Sequence, residues 1–511
     1  MDMRGYAFLS LLFGFSWVLA RESTAANVTG QFRLRHDPAV LEEYRRFLRI
    51  PNVPSDPANM RRNAEFILQM MKSRGIEGRL LDGESPVTIP AVFGEVKVPG
   101  ASKTLLFYAH YDGQPVNPAN WAPGLQPFVP VYITAPIESG GHVVADYKDG
   151  APVDPDWRLT GRSSADDKAG VMTILNAYWA LAEAKQRPGC NLKFFFEGEE
   201  EQGSPHLAQI LAKHKAELDG ELWIVVDGPR HATGYKTVEF GVRGDVNIDL
   251  IVYGAKRPLH SGNYGNWAPN PAQQLVKLLA SMKDDNDHVL VAGFYDDVAP
   301  LTATEHDAIR KIPPLDHALQ DELAIATPDG MGQPFWELMM QPTLNINGIQ
   351  SANVGEAASN IIPSKAEAVL DLRLVKGDSV DGQVRKVLDH IRAQGFQVID
   401  HDPTDQERHR YPKLLKATVG PGYAAQRTPM DLPIASTVLN AVRGTSREPV
   451  IAIPSAGGSL PLVMFEQVLG ASVVTVPVVN YDNNQHAENE NVRVRYLWEG
   501  IEEIGALMLI R

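Results

Sequence analysis

Short, almost continuous apolar runs recur in the first half of the chain and predict buried strands. Residues 104–109, 192–196 and 222–226 form such runs, and polar residues follow each of them. Runs of this kind are typical of strands that are covered on both faces of a sheet. Between the first two runs, apolar side chains recur at helical spacing over residues 167–185. Strands that alternate with helices predict a mostly parallel sheet with helices on both sides.

From about residue 240 the pattern changes to alternation of apolar and polar positions. Residues 246–253 and 366–374 alternate, which indicates strands with one face in water. Helical stretches follow at 271–282 and 379–393. The resulting order of strand, helix, strand, strand, helix, strand predicts a small α+β domain.

Apolar runs resume near residue 432 and continue through residues 473–476. The chain has 511 residues, several times the usual length of one domain. The simplest topology is therefore an α/β domain, with a mixed, mostly parallel sheet, that is interrupted by an inserted α+β domain and rejoins near residue 430.

Composition and charge restrict the classes of function. The chain holds 48 Lys and Arg against 62 Asp and Glu, a formal net charge of −14. So acidic a chain repels phosphate backbones, which argues against general nucleic-acid binding. Its one cysteine, Cys190, excludes a disulfide framework and a cysteine-ligated zinc finger. Any metal ion must be held by His, Asp and Glu.

The N-terminus predicts export. An apolar run over residues 6–20 is short for a membrane span, and small residues follow it at plausible cleavage positions. We expect a signal peptide over residues 1–26 and a periplasmic or secreted protein without a stable span after cleavage. The alternative is a membrane anchor.

Side chains that bind metals lie where the predicted strands end. Ligands of open α/β sheets collect beyond the carboxyl ends of the strands. Acids that converge there repel one another unless a multivalent cation neutralises them. Oxygen and imidazole ligands without thiolate suit zinc, manganese or cobalt. The segments that carry these side chains are 110–112, 164–168, 197–201, 227 and 484–488.

Seven ordered motifs make the chain resemble the M20 metallopeptidase family. The segments His-Tyr-Asp-Gly-Gln-Pro at 110–115 and Gly-Phe-Tyr-Asp-Asp at 293–297 are most similar to its carnosinase-like dipeptidase branch. The match runs from about residue 38 to the end. The motifs are His-Tyr-Asp at 110–112, Gly-Arg-Ser-Ser-Ala-Asp-Asp-Lys at 161–168, Glu-Gly-Glu-Glu-Glu-Gln-Gly-Ser at 197–204, Leu-His-Ser-Gly at 259–262, Asn-Ile-Ile-Pro-Ser at 360–364 with Arg373, Gly-Gly-Ser-Leu-Pro at 457–461, and His486.

The resemblance implies a pair of divalent metal ions, zinc first, with manganese or cobalt as alternatives. Asp166 would bridge the two ions. His110 and Asp227 would complete one metal site, and Glu201 and His486 the other. The resemblance also implies a cis peptide bond after Asp166.

The same resemblance implies further roles. Glu200 would be the general base, and Asp112 would fix the tautomer of His110. His260 would stabilise the oxyanion, reaching the active site of a partner subunit. Residues that would bind the substrate, beside His260, are Arg373, Ser459 and the backbone of Gly457 and Gly458.

The resemblance divides the mature chain into a catalytic domain at 27–238 and 429–511 and a lid and dimerisation domain at 239–428. Two positions depart from the family pattern, since Ser163 and Ala169 stand where glycines are usual. Residues 132–154 look like extra sequence, which we expect to line or cover the pocket.

The expected function is a di-metal exopeptidase acting on dipeptides or short peptides with a free carboxylate, as a homodimer that pairs through its inserted domain. An N-acyl-amino-acid amidohydrolase with the same site is the first alternative. A catalytically inactive binding protein of the same fold is the second. The chain has no Gly-x-Ser-x-Gly elbow and no His-Glu-x-x-His pattern, which argues against a serine hydrolase and a zincin.

Overall fold

A computed structural model describes residues 24–85, 88–330 and 332–511. Residues 1–23 of the predicted signal peptide (1–26) lie outside the described residues. Its last three residues belong to the first helix, which begins at Thr24. In the part of the chain that is described, no helix combines the length and the apolar character needed to cross a membrane.

The helices of the described chain are α1 (Thr24–Leu48), α2 (Pro57–Ser73), α3 (Lys168–Glu183), α4 (Leu207–Lys213), α5 (Ser261–Tyr264), α6 (Pro271–Ala280), α7 (Ala303–Lys311), α8 (Asp316–Leu323), α9 (Phe335–Leu338), α10 (Val380–Ala393), α11 (Asp405–Arg410), α12 (Pro433–Arg443) and α13 (Val494–Met508). The strands are β1 (Glu77–Leu81), β2 (Ala91–Val96), β3 (Thr104–His110), β4 (Tyr132–Ile133), β5 (Arg158–Thr160), β6 (Asn191–Glu197), β7 (Leu222–Val225), β8 (Thr237–Glu239), β9 (Gly241–Tyr253), β10 (Leu259–His260), β11 (Thr343–Gln350), β12 (Ile361–Ile362), β13 (Lys365–Leu374), β14 (Gln397–Ile399), β15 (Leu414–Tyr423), β16 (Gln426–Arg427), β17 (Ile451–Ile453), β18 (Ala456–Ser459), β19 (Ser472–Thr475) and β20 (Asn491–Arg493).

The larger sheet has eight strands in the order β1-β2-β6-β3-β7-β19-β8-β17. Its centre is parallel, because β3 pairs in parallel with both β6 and β7, and β19 pairs in parallel with β7. The antiparallel pairs β1-β2 and β2-β6 extend one side. The three apolar runs of the first half form the central strands β3, β6 and β7, which confirms that these runs are buried strands.

Helices cover this sheet on both faces. One core cluster joins α1, α2, α3 and α13 to the sheet, and the other joins α4 to the opposite face. Helix α3 is buried along most of its length, and Asp167 caps its first turn by accepting the N–H of Gly170. The cap fixes the start of α3 beside the ends of the central strands.

The second sheet has the order β11-β13-β9-β15-β14 and packs against α6 and α10 through its own core. Strand β9 is its centre, antiparallel to β13 and β15. This arrangement confirms the predicted fold class, an α/β domain interrupted by an inserted α+β domain. The residue boundaries of the two domains stay predictions. Helices α7, α8 and α9, which precede β11, are additions that the apolar pattern did not predict.

Candidate active site

The central strands of the larger sheet deliver their last residues to one place. His110 ends β3, and Asp227 lies two residues beyond the end of β7. Glu200 and Glu201 begin a single 3₁₀ turn that follows β6. Because β3, β6 and β7 are parallel neighbours, these four side chains meet at the same edge of the sheet.

Asp166 lies between two histidines. One of its carboxylate oxygens is 2.9 Å from Nε2 of His110, and the other is 2.9 Å from Nε2 of His486. The peptide bond between Asp166 and Asp167 is cis, as the resemblance implies. Since each oxygen faces a different imidazole, this carboxylate has the geometry of a bridge between two cations.

Asp227 and Glu201 each join one of the two histidines. Oδ2 of Asp227 is 3.8 Å from Nε2 of His110, and Oε2 of Glu201 is 3.1 Å from Nε2 of His486. Candidate ligand atoms of Asp166, Glu201 and His486 all lie within 4.8 Å of one another. The structure therefore brings all five sequence-predicted ligands together.

Asp167 also offers a ligand atom within 4.8 Å of those of His110 and Asp227. Its two oxygens, however, already accept backbone N–H groups, from Gly170 at 2.9 Å and from His110 at 3.2 Å. Asp167 therefore serves as the cap of α3, and Asp166 remains the candidate for the position between the two ions.

Asp112 connects His110 to the acidic turn. One of its oxygens is 3.3 Å from Nδ1 of His110. The carboxylate also accepts the backbone N–H groups of Glu200 and Glu201, at 3.2 Å and 3.0 Å. Asp112 is fully buried, so it can both orient the imidazole ring and hold the turn that carries the two glutamates.

Glu200 points at the same centre, with Oε2 3.8 Å from Nε2 of His110. Burial raises the pKa of Glu200 well above its ordinary value, and the charges of Asp227 and Glu201 add to the rise. A carboxylate with a raised pKa, placed in a cleft, is suited to accept a proton. Glu200 is not a member of either group of candidate metal ligands. Its carboxylate is therefore free to act as the proton acceptor.

Electrostatics fit the five ligands to a pair of divalent cations. Burial is the main cause that raises the pKa of Asp227, to about 7, and the charge of Asp166 adds to it. Contacts with Asp166 and Glu201 raise the pKa of His486 to about 11. The cluster thus has an excess of buried negative charge, which two cations would neutralise. Two imidazoles and three carboxylates without thiolate are ligands for zinc, manganese or cobalt.

A cavity of about 660 Å³ opens beside this cluster. Arg373 and the turn of Gly457, Gly458 and Ser459 line it together with Asp166, Glu200, Asp227 and His486. Nη1 of Arg373 donates to Oγ of Ser459 at 2.9 Å, and Nε donates to Asp371 at 3.2 Å. The sequence-predicted carboxylate binders therefore form one corner of the cavity that also holds the metal ligands.

Helices α8 and α9 contribute an apolar wall. Leu315, Leu319 and Leu323 lie four residues apart around α8 and line the cavity with Phe335 and Trp336 of α9. The spacing by four residues places the leucines on one face of the helix. The cavity thus offers apolar surface next to charged groups, as small-molecule sites usually do.

His260 is not among the described residues that line this cavity. It is exposed at the end of β10, and its Nδ1 accepts the N–H of Gly262 at 3.1 Å. Within one chain, the structure leaves His260 apart from the other sequence-predicted site residues. A role at the active site would have to be played in a second subunit.

Sequence reasoning missed Glu490, which orders the loop before α3. Its fully buried carboxylate accepts the backbone N–H groups of Ser163 at 2.9 Å, Ala165 at 2.9 Å and Asp166 at 3.0 Å. It also receives the guanidinium of Arg162 at 2.8 Å. Glu490 therefore ties the bridging acid to the loop of His486, and the only signal in the sequence was its position four residues after that histidine.

The departure at Ser163 is accommodated locally. Ser163 has φ 62°, in the left-handed region that favours glycine. Its Oγ accepts Nδ2 of Asn52 at 2.8 Å and donates to the carbonyl of Asp112 at 3.3 Å. These two hydrogen bonds stabilise the serine in the conformation that a glycine would adopt more easily.

The extra segment 132–154 contributes no residue to the lining of this cavity, so the part of our expectation that it lines the pocket is wrong. It instead reaches the loop of His486: one oxygen of Glu138 accepts the side-chain amides of Asn484 at 3.1 Å and of Asn489 at 3.0 Å. Asn484, His486 and Asn489 all have positive φ. The segment thus braces a metal-ligand loop of unusual backbone conformation.

Comparison with known proteins places this geometry in a family. The model of peptidase family M20/M25/M40 matches residues 106–509. The chain belongs to this family and is an enzyme, a metallopeptidase of the M20 type. The match spans both parts of the larger sheet and the inserted domain, so it covers every predicted metal ligand.

Individual relatives agree with this assignment. The chain is 26% identical to the human Beta-Ala-His dipeptidase over 447 residues, 84% of this chain and 79% of the relative. It is 25% identical to the Cys-Gly metallodipeptidase of Candida albicans over 512 residues, 92% and 94% of the two chains. The solved structure of human carnosine dipeptidase 1 has the same fold, with a TM-score of 0.69, 22% identity and coverage of 95% and 99%.

Proposed function

We propose that this protein is a di-zinc dipeptidase that hydrolyses dipeptides or short peptides with a free carboxylate. The observation that carries the proposal is the position of Asp166, whose two oxygens each lie 2.9 Å from a different histidine. Relatives named as dipeptidases, aligned over most of this chain, support the choice of substrate. Zinc is the first choice of metal, and manganese or cobalt would suit the same ligands.

His110 and Asp227 would hold one ion and Glu201 and His486 the other, with Asp166 shared between them. A pair of such ions, when bound, lowers the pKa of water and polarises the scissile carbonyl. Glu200 would take the proton of the attacking water and pass it to the departing amine as the amide bond breaks. Asp112 would keep His110 oriented throughout.

Arg373 would bind the carboxylate of the substrate. A guanidinium pairs with a carboxylate through two parallel N–H donors, and Ser459 holds the side chain of Arg373 at 2.9 Å on the cavity wall. The glycine turn before Ser459 offers backbone N–H groups to the same carboxylate. The corner would fix one end of the peptide and leave its amide bond toward the metal ligands.

We further propose a homodimer through the inserted domain. Strand β11 is at the edge of the second sheet, and its side chains Ile346 and Ile349 are exposed. An edge strand with exposed apolar side chains favours pairing with another chain. Pairing would also give the exposed His260 a route to the cavity of a partner subunit, where it would stabilise the oxyanion. Sedimentation of the mature protein as a monomer only would contradict this proposal.

Export to the periplasm or medium remains our proposal from the sequence, with the signal peptide over residues 1–26. N-terminal sequencing of the protein recovered from cell fractions tests it. A mature N-terminus near residue 27 in an exported fraction is expected, and an uncleaved cytoplasmic protein would contradict it.

The Glu200→Gln variant tests the catalytic assignment. Loss of the proton acceptor should lower kcat about 10²- to 10⁴-fold, while the content of bound zinc stays that of the unchanged protein. A Glu221→Gln variant, which alters an exposed glutamate just before β7, is the matched control. Turnover of dipeptides by Glu200→Gln at the normal rate would contradict the mechanism.

A further inference from the structure

Glu239 is an acid of the cavity to which the proposed mechanism gives no task. It ends β8, where its backbone pairs with Thr475 of β19 and Ile453 of β17, and all three residues line the cavity. In the sheet order, β19 alone separates β8 from β7. Two strand spacings amount to about 10 Å, so Glu239 lies within one small substrate's length of Asp227.

The carboxylate of Glu239 has no cationic partner among the described residues. Burial raises its pKa to about 8, with the charge of Asp227 adding to the rise and no cation or hydrogen bond opposing it. Arg230, which lines the same cavity, already contacts Glu499 and Glu503. A half-buried carboxylate of this kind is unfavourable until a ligand supplies a cation or donor.

The surroundings of Glu239 indicate which kind of ligand would supply the cation. The strand β17 that pairs with Glu239 leads within a few residues into the turn of Gly457, Gly458 and Ser459, next to Arg373. A ligand that carried only a carboxylate to this corner would leave Glu239 without a partner, and the added negative charge would hold Glu239 in its protonated form. A zwitterion would satisfy both the guanidinium and the acid.

We propose that Glu239 binds the free α-ammonium group of the substrate, which makes the cavity selective for unblocked dipeptides over N-acylated amino acids. This inference rests on the proposed dipeptidase function and names the substrate class of the same site. An ammonium placed against Glu239 forms a charge-assisted hydrogen bond in a half-buried position, where such bonds are stronger than at the surface. The N-acyl-amino-acid alternative lacks this group, so Glu239 would favour the dipeptide.

Two substrates that differ only in the amino group test the proposal. Alanyl-leucine carries the ammonium, and propionyl-leucine has hydrogen in its place. We expect the zinc-loaded protein to hydrolyse alanyl-leucine with a kcat/KM about 10- to 100-fold higher than that for propionyl-leucine. Because the two compounds are almost equal in size, a steric cause is excluded.

The Glu239→Gln variant should lose this discrimination. Its kcat/KM for alanyl-leucine should fall by the same factor, mainly through KM, while propionyl-leucine is hydrolysed as before. Glu239→Asp should restore part of the preference, and Glu221→Gln should change neither substrate. Zinc content and thermal melting of each variant show whether it is folded. If Glu239→Gln does not fold, the comparison of the two substrates on the unchanged protein still tests the proposal, because equal rates would contradict it.

Equal rates on the two substrates with the unchanged protein, or an equal loss on both in Glu239→Gln, would overturn the role of Glu239 and leave the dipeptidase function standing. Hydrolysis of neither compound by the zinc-loaded protein would instead contradict the proposed function, and the inference would fall with it. The two failures are thereby distinguishable.

Discussion

The two halves of the candidate metal centre are built in different ways. His110 belongs to a central strand, is fully buried, and has Asp112 beside its ring. His486 belongs to a loop, has a positive φ, and leaves 53% of its side chain exposed. The first half is fixed by the sheet, whereas the second depends on contacts between loops.

This difference predicts that the two ions bind unequally. Ligands whose side chains are already held in place lose little freedom when a metal binds, while a loop must be ordered at the same time. We therefore expect the ion held by His110 and Asp227 to bind more tightly than the ion held by Glu201 and His486. Asp166 serves both.

The largest effect should come from replacing the two histidines separately. His110→Ala removes the fully buried imidazole that both Asp112 and Asp166 contact, which should lower the free energy of unfolding of the metal-free protein by about 3–5 kcal/mol. His486→Ala removes a half-exposed pair and should cost about 1 kcal/mol or less. Urea unfolding of the two metal-free variants measures both values.

Metal content separates the same variants. His486→Ala should retain the tighter ion, and His110→Ala should lose it. Either change should lower hydrolysis about a thousandfold or more, because several kcal/mol of transition-state stabilisation disappear with an ion. His317→Ala, at an exposed position of α8, is the control. Equal loss of stability and of metal in the two ligand variants would show that the halves do not differ.

The part of the metal centre that lies on the sheet could be predicted from the sequence, whereas the part that lies on loops could not. The apolar runs that become β3, β6 and β7 are unambiguous, because strands buried on both faces need continuous apolar side chains. Their polar ends then had to converge at one sheet edge. The contacts that hold the loop of His486 have no periodic pattern in the sequence. One of them joins Glu490 to Asp166, which are 324 positions apart in the chain.

The walls of the cavity were equally hard to predict. Leu319 and Leu323 of α8, with Leu315 just before it, do recur every four residues, yet α8 has eight residues and none of them is buried. A helix that short and exposed lacks the apolar stripe from which helices are usually recognised. Glu239 ends the three-residue strand β8, and no pattern in so short a strand predicts that its last side chain enters the cavity.

A smaller effect should come from the brace that Glu138 provides. Glu138→Ala removes the acceptor shared by Asn484 and Asn489. It should lower the affinity for the ion held by His486 about tenfold, which is the lower end of the effects seen when a residue that supports a metal ligand is replaced. Glu138→Gln retains an oxygen acceptor and should restore most of the affinity. Calorimetric titration of metal-free protein with zinc measures both sites.

Asp146→Ala is the matched control, because Asp146 is an exposed acid of the same extra segment. Weaker binding at both metal sites in Glu138→Ala, or at neither, would contradict a brace that acts on the loop alone.

The smallest expected effect is a pH dependence of the metal-free protein. The pKa of His486 is raised from 6.5 to about 11 in the folded chain, so its contribution to stability is fully present below pH 6.5 and is lost as pH rises through about 11. The metal-free protein should therefore unfold in less urea at about pH 9 than at about pH 6.

In His486→Ala this pH dependence should be reduced. With zinc bound its sign should reverse, because the bound imidazole is unprotonated and protons then compete with zinc at the lower pH. A slope that persists unchanged in His486→Ala would assign the titration to another group.

The central claim is that Asp166 joins two metal ions at the end of the larger sheet. Anomalous scattering from crystals of the zinc-loaded mature protein tests it most directly. We predict two peaks about 3.5–4 Å apart on either side of the Asp166 carboxylate, one contacting His110 and Asp227 and the other Glu201 and His486. A single peak, or peaks that do not contact Asp166, would contradict the claim.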